Sequence, residues 1–338
     1  MEKIEQKGIQ SILFNEPPCI LSGASVVGKK EGEGPLKDYF DEIIEDAMFG
    51  KDNWEEAESE FMKEACNLAI TKSKVDLKQI RYLFGGDLLG QLIGTTFGIS
   101  ALKIPFFGLY GACSTIGEAL SLGSITISSG AADYVLATTS SHFASAEKQF
   151  RYPLEYGNQR PLAATWTVTG SAAFVLSKDE GDILVKGITT GKIMDYGIKD
   201  SMNMGACMAP AAADLIYQNL KDFQIKPDYY DKIITGDLGK VGQEILFKLL
   251  KDNGVNIERN HMDCGIEIFD DTTQDTHAGG SGCGCSATTL AGLIMNRMSS
   301  RKWKRVLFIP TGALLSTVSF NEGQTVPGIA HGVILERR

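Results

Sequence analysis

The chain has 338 residues, 43% of them hydrophobic, which is enough for a large core and sets an expectation of about two domains. A net charge of −9 counts against nucleic acid as a partner, and seven cysteines, an odd number in a long chain, count against a disulfide framework. The charged start has no signal-peptide core behind it, and no stretch approaches the roughly 18 apolar residues of a membrane span. The sequence by itself therefore reads as soluble and made in the cytoplasm.

Strand-like and helical stretches alternate along the chain, which predicts an α/β fold. Ile20-Leu21 opens a first strand, and residues 39–48 and 53–71 read as acidic, half-exposed helices. The second of these carries Ala57, Phe61, Ala65 and Leu68 at helical spacing. Residues 104–109 read as a buried strand, 118–127 as a helix and 134–139 as a strand. Several pieces then recur in the same order. Gly86-Asp87-Leu88 returns as Gly236-Asp237-Leu238, and Gly111-Ala-Cys-Ser114 as Gly284-Cys-Ser286. Thr167-Val-Thr-Gly-Ser-Ala172 returns as Thr325-Val-Pro-Gly-Ile-Ala330, and the strands 134–138 and 174–176 as 305–309 and 333–335. The period is too long for a solenoid, so two duplicated halves are expected, 1–180 and 181–338, related by a pseudo-twofold axis. The helices after Cys113 and Cys285 are nearly free of charge, which predicts a buried central helical layer.

Cys113 lies where a strand turns into a helix, with Gly111 and Ala112 allowing the turn. Free N–H groups and the helix dipole favour either a thiolate nucleophile or a bound carboxylate at that point. A small core residue is the plain alternative. The lone Cys283-Gly-Cys285 lacks a second ligand pair, and 279–284 lacks the endings of a phosphate loop. The Asp-rich 270–275 lacks the spacing of a calcium loop, so no metal site is expected there. His261 and His331 read as structural, and Trp166 by position alone as core.

A duplicated α/β chain with a cysteine between strand and buried helix resembles the thiolase and ketoacyl-synthase superfamily. That resemblance implies a five-layer αβαβα sandwich, usually dimeric. Tyr110-Gly-Ala-Cys-Ser-Thr115, Ser140-Ser-His142, Glu147-Lys-Gln-Phe-Arg-Tyr-Pro153 and Trp166-Thr-Val-Thr-Gly170 go further. Together they resemble the stage V sporulation protein AD family over essentially the whole chain. The resemblance implies a protein that binds dipicolinic acid (pyridine-2,6-dicarboxylate). It also implies membrane partners from the same sporulation operon, a peripheral place at the spore inner membrane, and a role in calcium–dipicolinate uptake and release.

In the superfamily the second half supplies a His-x-x-Asn or His-x-x-Phe element. Here the corresponding turn is Thr235-Gly-Asp-Leu-Gly239, and a Gly-rich run after His277 replaces the later Asn-bearing segment. Loss of such partners typically costs ~10²–10⁶ in rate. The sequence therefore favours a binding pocket over an enzyme, with an acyl-CoA condensing or thioesterase-like enzyme using Cys113, and a structural scaffold, as alternatives. The expected ligand residues are Asp87, Cys113, Ser114, Ser140, Ser141, His142, Trp166 and His277. Cys113 and Ser114 are to receive one carboxylate, and Ser140, Ser141 and His142 the ring nitrogen or the second carboxylate. Asp87 is placed on His142 or on a calcium carried with the ligand. Trp166 is to stack on the ring, His277 to reach in from the second half, and Arg160 and Lys148 to attract the anion from the rim. No catalytic residue, resident metal or cofactor is expected.

Overall fold

The computed structural model describes residues 3–151, 155 and 159–338, so Tyr152 and Pro153 of the quoted motif lie outside the described residues. Five strands form the first set: β1 (Cys19–Gly28), β2 (Ile80–Gly86), β3 (Phe106–Gly108), β4 (Tyr134–Ser141) and β5 (Gly170–Ser177). Five more form the second: β6 (Ile183–Thr189), β7 (Lys232–Thr235), β8 (His261–Asp263), β9 (Arg305–Ile309) and β10 (Gly332–Arg337). Their spatial orders match, β1-β5-β4-β2-β3 and β6-β10-β9-β7-β8. The senses match too: the first two pairings of each set are antiparallel and the last two parallel. The two sets meet in an antiparallel seam, where Ile183 pairs with Ile20 and Leu184 with Cys19.

The helices take the places expected of a layered sandwich. They are α1 (Trp54–Ser73), α2 (Thr115–Ser128), α3 (Phe143–Phe150), α4 (Met204–Asp222), α5 (Gly239–Asp252) and α6 (Cys283–Thr289). Asn53 caps α1 by accepting the Glu56 N–H, and Lys74 ends it in the left-handed region. Its buried stripe of Ala57, Phe61, Ala65 and Ala69 packs on β1, β4 and β5. On the far side α4 packs on β6 and β10, with α5 against it. Between them lie α2, which touches β2, β4 and β10, and α6, which touches β1, β4 and β5. This is the five-layer order. Central strands covered on both faces read as near-continuous apolar or small runs, as β4 and β5 do. Ile116, Leu120 and Ile127 of α2 are buried, each worth about 1.5–3 kcal/mol.

Two expectations need correction. Residues 104–109 do not form a buried strand: only Phe106–Gly108 is extended, and Phe107 is 52% exposed because β3 is the sheet edge. Residues 39–48 are not a helix. Glu42–Ile44, with its β-branched pair, is a short strand parallel to the end of β1.

Candidate functional site: the cavity beside Cys113

The chain leaves β3 through Leu109 and Tyr110 and enters α2 by a single 3₁₀ turn, Ala112–Ser114. A close approach fixes this route: a Cβ on Gly86 would lie 1.9 Å from the Leu109 carbonyl oxygen, so only glycine fits there. Ala112 has φ +50°, the left-handed region, and its carbonyl accepts the Thr115 hydroxyl at 2.6 Å and the Cys283 thiol at 3.1 Å. Cys113 is thereby held at the wall of a cavity of about 400 Å³, within the small-ligand range. Leu88, Tyr110, Phe150 and Arg151 line it from the first half, and residues 314–318 close it from the second.

Behind Cys113 stands Asp237, at the turn after β7. Its carboxylate accepts the Thr311 hydroxyl at 2.7 Å, the Gly282 N–H at 3.0 Å and the Cys113 thiol. Burial pushes Asp237 up to about 7. Burial first, then the Asp237 charge beside it, pushes the Cys113 thiol well above its ordinary range. An imidazolium here would draw the proton off the sulfur; a carboxylate holds it on. The thiolate favoured by the helix-start argument is thus outweighed.

Among the described residues, the cation that lines the cavity is Arg151, at the C-terminal end of α3. Its Nε donates to Glu147 Oε2 at 2.5 Å, its Nη2 donates to Glu147 Oε1, and its Nη1 lies 3.5 Å from Met202 Sδ. Burial, and then the Arg160 charge, lowers Arg151 to about 10.

The expected ligand residues divide among several environments. Cys113 lines the cavity. Ser114 is occupied in its own turn, its hydroxyl donating to the Gly111 carbonyl at 2.7 Å. Asp87 accepts from the Leu89 N–H at 2.7 Å and from the Thr95 N–H and hydroxyl at 2.6 Å, so it is not engaged with His142. Ser140 donates to Glu58 at 3.0 Å. Ser141 donates to the Val168 carbonyl at 2.7 Å and accepts the Gly284 N–H at 2.9 Å, pinning the start of α6. There the backbones touch: a Cβ on Gly284 would come within 2.6 Å of the Gly170 oxygen, so the helix start can approach β5 only through glycine.

His142 caps α3 by accepting the Ala144 N–H at Nδ1, 3.1 Å, so its Nε2–H donates to the Ala47 carbonyl at 2.8 Å. Burial holds it below its ordinary pKa. Trp166 stacks on Phe143 at 3.7 Å and carries Lys30 and Arg160 near its ring, at 4.3 and 4.7 Å. His142 and Trp166 line a second cavity of about 400 Å³, with Lys30, Glu31 and Trp54. His277 does not reach the Cys113 cavity. Its φ is +55°, and its ring is taken by the Pro161 carbonyl at 3.0 Å and Asp275 at 3.1 Å. Arg160 is likewise held at the Asp275 carbonyl, 2.9 Å, and Lys148 at Glu55, 2.7 Å. His261 bonds Thr235 and Gln243, and His331 lies 3.1 Å from Glu118.

Arg151 and the buried Glu147 were missed as site residues, although their i,i+4 spacing in the quoted motif is a readable ion-pair signal. Asp237 was noticed only as the residue standing where a histidine would be. Among the described residues, no group of three or more His, Cys, Asp or Glu side chains is placed to hold a metal.

The sequence profile of the family described as stage V sporulation protein AD matches residues 8–336. Stage V sporulation protein AD of Bacillus subtilis is 43% identical over 330 residues, covering 98% of this chain and 97% of that one. Among solved structures, a variant of Xanthomonas campestris OleA superposes with a TM-score of 0.60 at 11% identity, over 95% of this chain and 98% of that chain. The 3-oxoacyl-[acyl-carrier-protein] synthase III of Aquifex aeolicus does so with 0.58 at 12% identity, over 94% and 99%. At such identities the likeness is one of fold, the thiolase-like sandwich.

Proposed function

We propose that this chain, which belongs to the stage V sporulation protein AD family, binds pyridine-2,6-dicarboxylate in the Cys113 cavity and performs no covalent chemistry there. The observation that carries this reading is the charge pattern of the wall. Among the described lining residues, Arg151 is the one charged side chain, set in an otherwise apolar and hydroxyl-bearing surface. A guanidinium meets a carboxylate with matching geometry, and apolar walls suit a flat ring. Leu88, Phe150 and Leu315 offer such walls, and Ser316 and Thr317 of the same lining carry hydroxyls for the second carboxylate. A calcium ion carried with the ligand sits on the ligand's own oxygens in this reading. Cys113, kept as a thiol by burial and then by Asp237, serves as wall rather than nucleophile.

Calorimetric titration with the 2,6 and 3,5 isomers tests it. The 2,6 isomer is expected to bind about tenfold tighter or better, because a misplaced carboxylate leaves buried polar groups unpaired. Equal affinity, or none, would sink the proposal. The thiolase-like fold favours one competing reading, acyl transfer through Cys113. An acyl adduct on Cys113 in intact mass after incubation with acyl-CoA thioesters would establish that reading instead.

A homodimer through the first halves belongs to the same proposal. Among the described residues β3 leaves its outer edge unpaired, with exposed Phe106, Phe107 and Tyr110 on or beside it, a surface that globular chains usually cover. Sedimentation of Phe107→Lys is expected to show monomers; an unchanged dimer would put the interface elsewhere. No helix among the described residues is long and apolar enough to cross a membrane. The proposed place at the spore inner membrane therefore depends on partner proteins of the same operon.

A further inference from the structure

Two carboxyl groups are buried together behind the cavity wall, Glu58 of α1 and Asp87 just after β2. Glu58 Oε1 and Asp87 Oδ2 each lie 3.3 Å from the point where a Cβ on Gly94 would sit, so they face one another across that glycine. Among the described residues, every donor they receive is neutral. Ser140 and Ser145 hydroxyls reach Glu58 at 3.0 and 2.5 Å; the Leu89 N–H and the Thr95 N–H and hydroxyl reach Asp87. The titratable groups that face the pair are Glu55 on α1, Cys283 on α6 and Tyr110 after β3, none of them a cation. Lys148 of α3 is paired with Glu55, and His142 is neutral and hydrogen-bonded at both nitrogens. Two ionised carboxylates so placed, with no counter-ion, repel strongly; one of them keeps a proton.

The pair is tied to the cavity on both sides. Asp87 precedes Leu88, and Ser145 precedes Ala146; Leu88 and Ala146 both line the cavity and pack with Cys113 and Cys283. We propose that the Glu58–Asp87 pair is a proton-operated latch: one proton kept on the pair holds the Leu88 and α3 wall closed, and its loss loosens that wall and with it the grip on the ligand. The ligand part rests on the reading of the cavity given above; the latch itself does not.

The sign follows from linkage. In the closed state burial, reinforced by Asp87, pushes Glu58 up to about 8, whereas an opened wall lets it ionise near its ordinary 4.5. Closure is therefore fully favoured below the ordinary value and is lost as pH rises toward 8. Over that window each pH unit favours opening about tenfold, and above it the effect levels off.

Hydrogen exchange on the ligand-free protein reads this directly. After correction for intrinsic rates, and relative to amides of α4, protection of residues 88–99 and of α3 is expected to fall about tenfold per unit between pH 5.5 and 7.5. Glu58→Gln, and independently Asp87→Asn, should flatten that slope, whereas Asp237→Asn should keep it. A flat profile in the unmodified protein overturns the latch, as does a slope that survives in both pair variants. If the slope is found but dipicolinate does not bind, the ligand reading fails and the latch stands.

Discussion

Replacing Glu147 and Arg151 together by glutamine is expected to weaken dipicolinate binding about a hundredfold or more while the chain stays folded. The double change matters. Glu147 is fully buried and its two oxygens take two guanidinium N–H groups, so Arg151→Ala alone would strand a buried carboxylate. Breaking one side of such a pair typically destabilises by about 3–5 kcal/mol. Two neutral amides remove the charge that meets the ligand without leaving its partner exposed to that penalty. Calorimetry gives the affinity, and far-ultraviolet circular dichroism checks the fold. An unchanged affinity in a folded double variant would mean that the anion is held elsewhere. The second cavity, where Lys30 and Arg160 flank Trp166, would then be the next place to look.

The second large effect is on stability. Burial raises several carboxyl groups in the folded chain, four of them far: Asp263 to about 6, Glu31 and Asp237 to about 7, and Glu58 to about 8. In the unfolded chain all four ionise in the ordinary carboxylate range. Acids with raised folded pKa values give stability that is fully present below the unfolded values and is lost as pH rises through the folded ones. At about 1.4 kcal/mol per pH unit between the unfolded and folded values, four such groups together cost on the order of ten kcal/mol by pH 8. That is comparable with the roughly 5–15 kcal/mol that holds a typical domain together. Carboxylates shifted the other way, such as Glu55 and Glu60, act below the ordinary range and lie nearer solvent, where screening weakens them. The urea midpoint is therefore expected to fall between pH 5.5 and 8.5. A midpoint that rises over this interval would contradict the buried-acid account.

Much of the architecture was legible because duplication repeats its punctuation. Gly86-Asp87 and Gly236-Asp237 do sit at the ends of equivalent strands, β2 and β7, and the charge-poor runs after Cys113 and Cys285 do form the middle layer. The edge position of β3 was not legible: Pro105-Phe-Phe-Gly-Leu109 is as apolar as a buried strand, and only the sheet order shows what lies beside it. The site residues divided for a geometric reason. Successive side chains of a strand point to opposite faces, so Ser140 turns to Glu58 in the outer layer while Ser141 turns to α6 in the middle one. Proximity in sequence at the end of β4 could not place both in one pocket. Asp237 was read for the imidazole it lacks rather than for what a buried carboxylate does to a neighbouring thiol. Residues 314–318 carry no motif at all, and they join the cavity only because β9 delivers them there.

The seam between β1 and β6 bears on how anything enters or leaves. Backbone hydrogen bonds across it make the two halves one mechanical body, so a clam-shell rotation of one half against the other would have to tear paired strands. Traffic through a cavity walled by both halves is instead the business of its rim, the short helix Thr317–Asn321 on one side and the Arg151 end of α3 on the other. A force applied to either half would load both, and would move the rim rather than the halves.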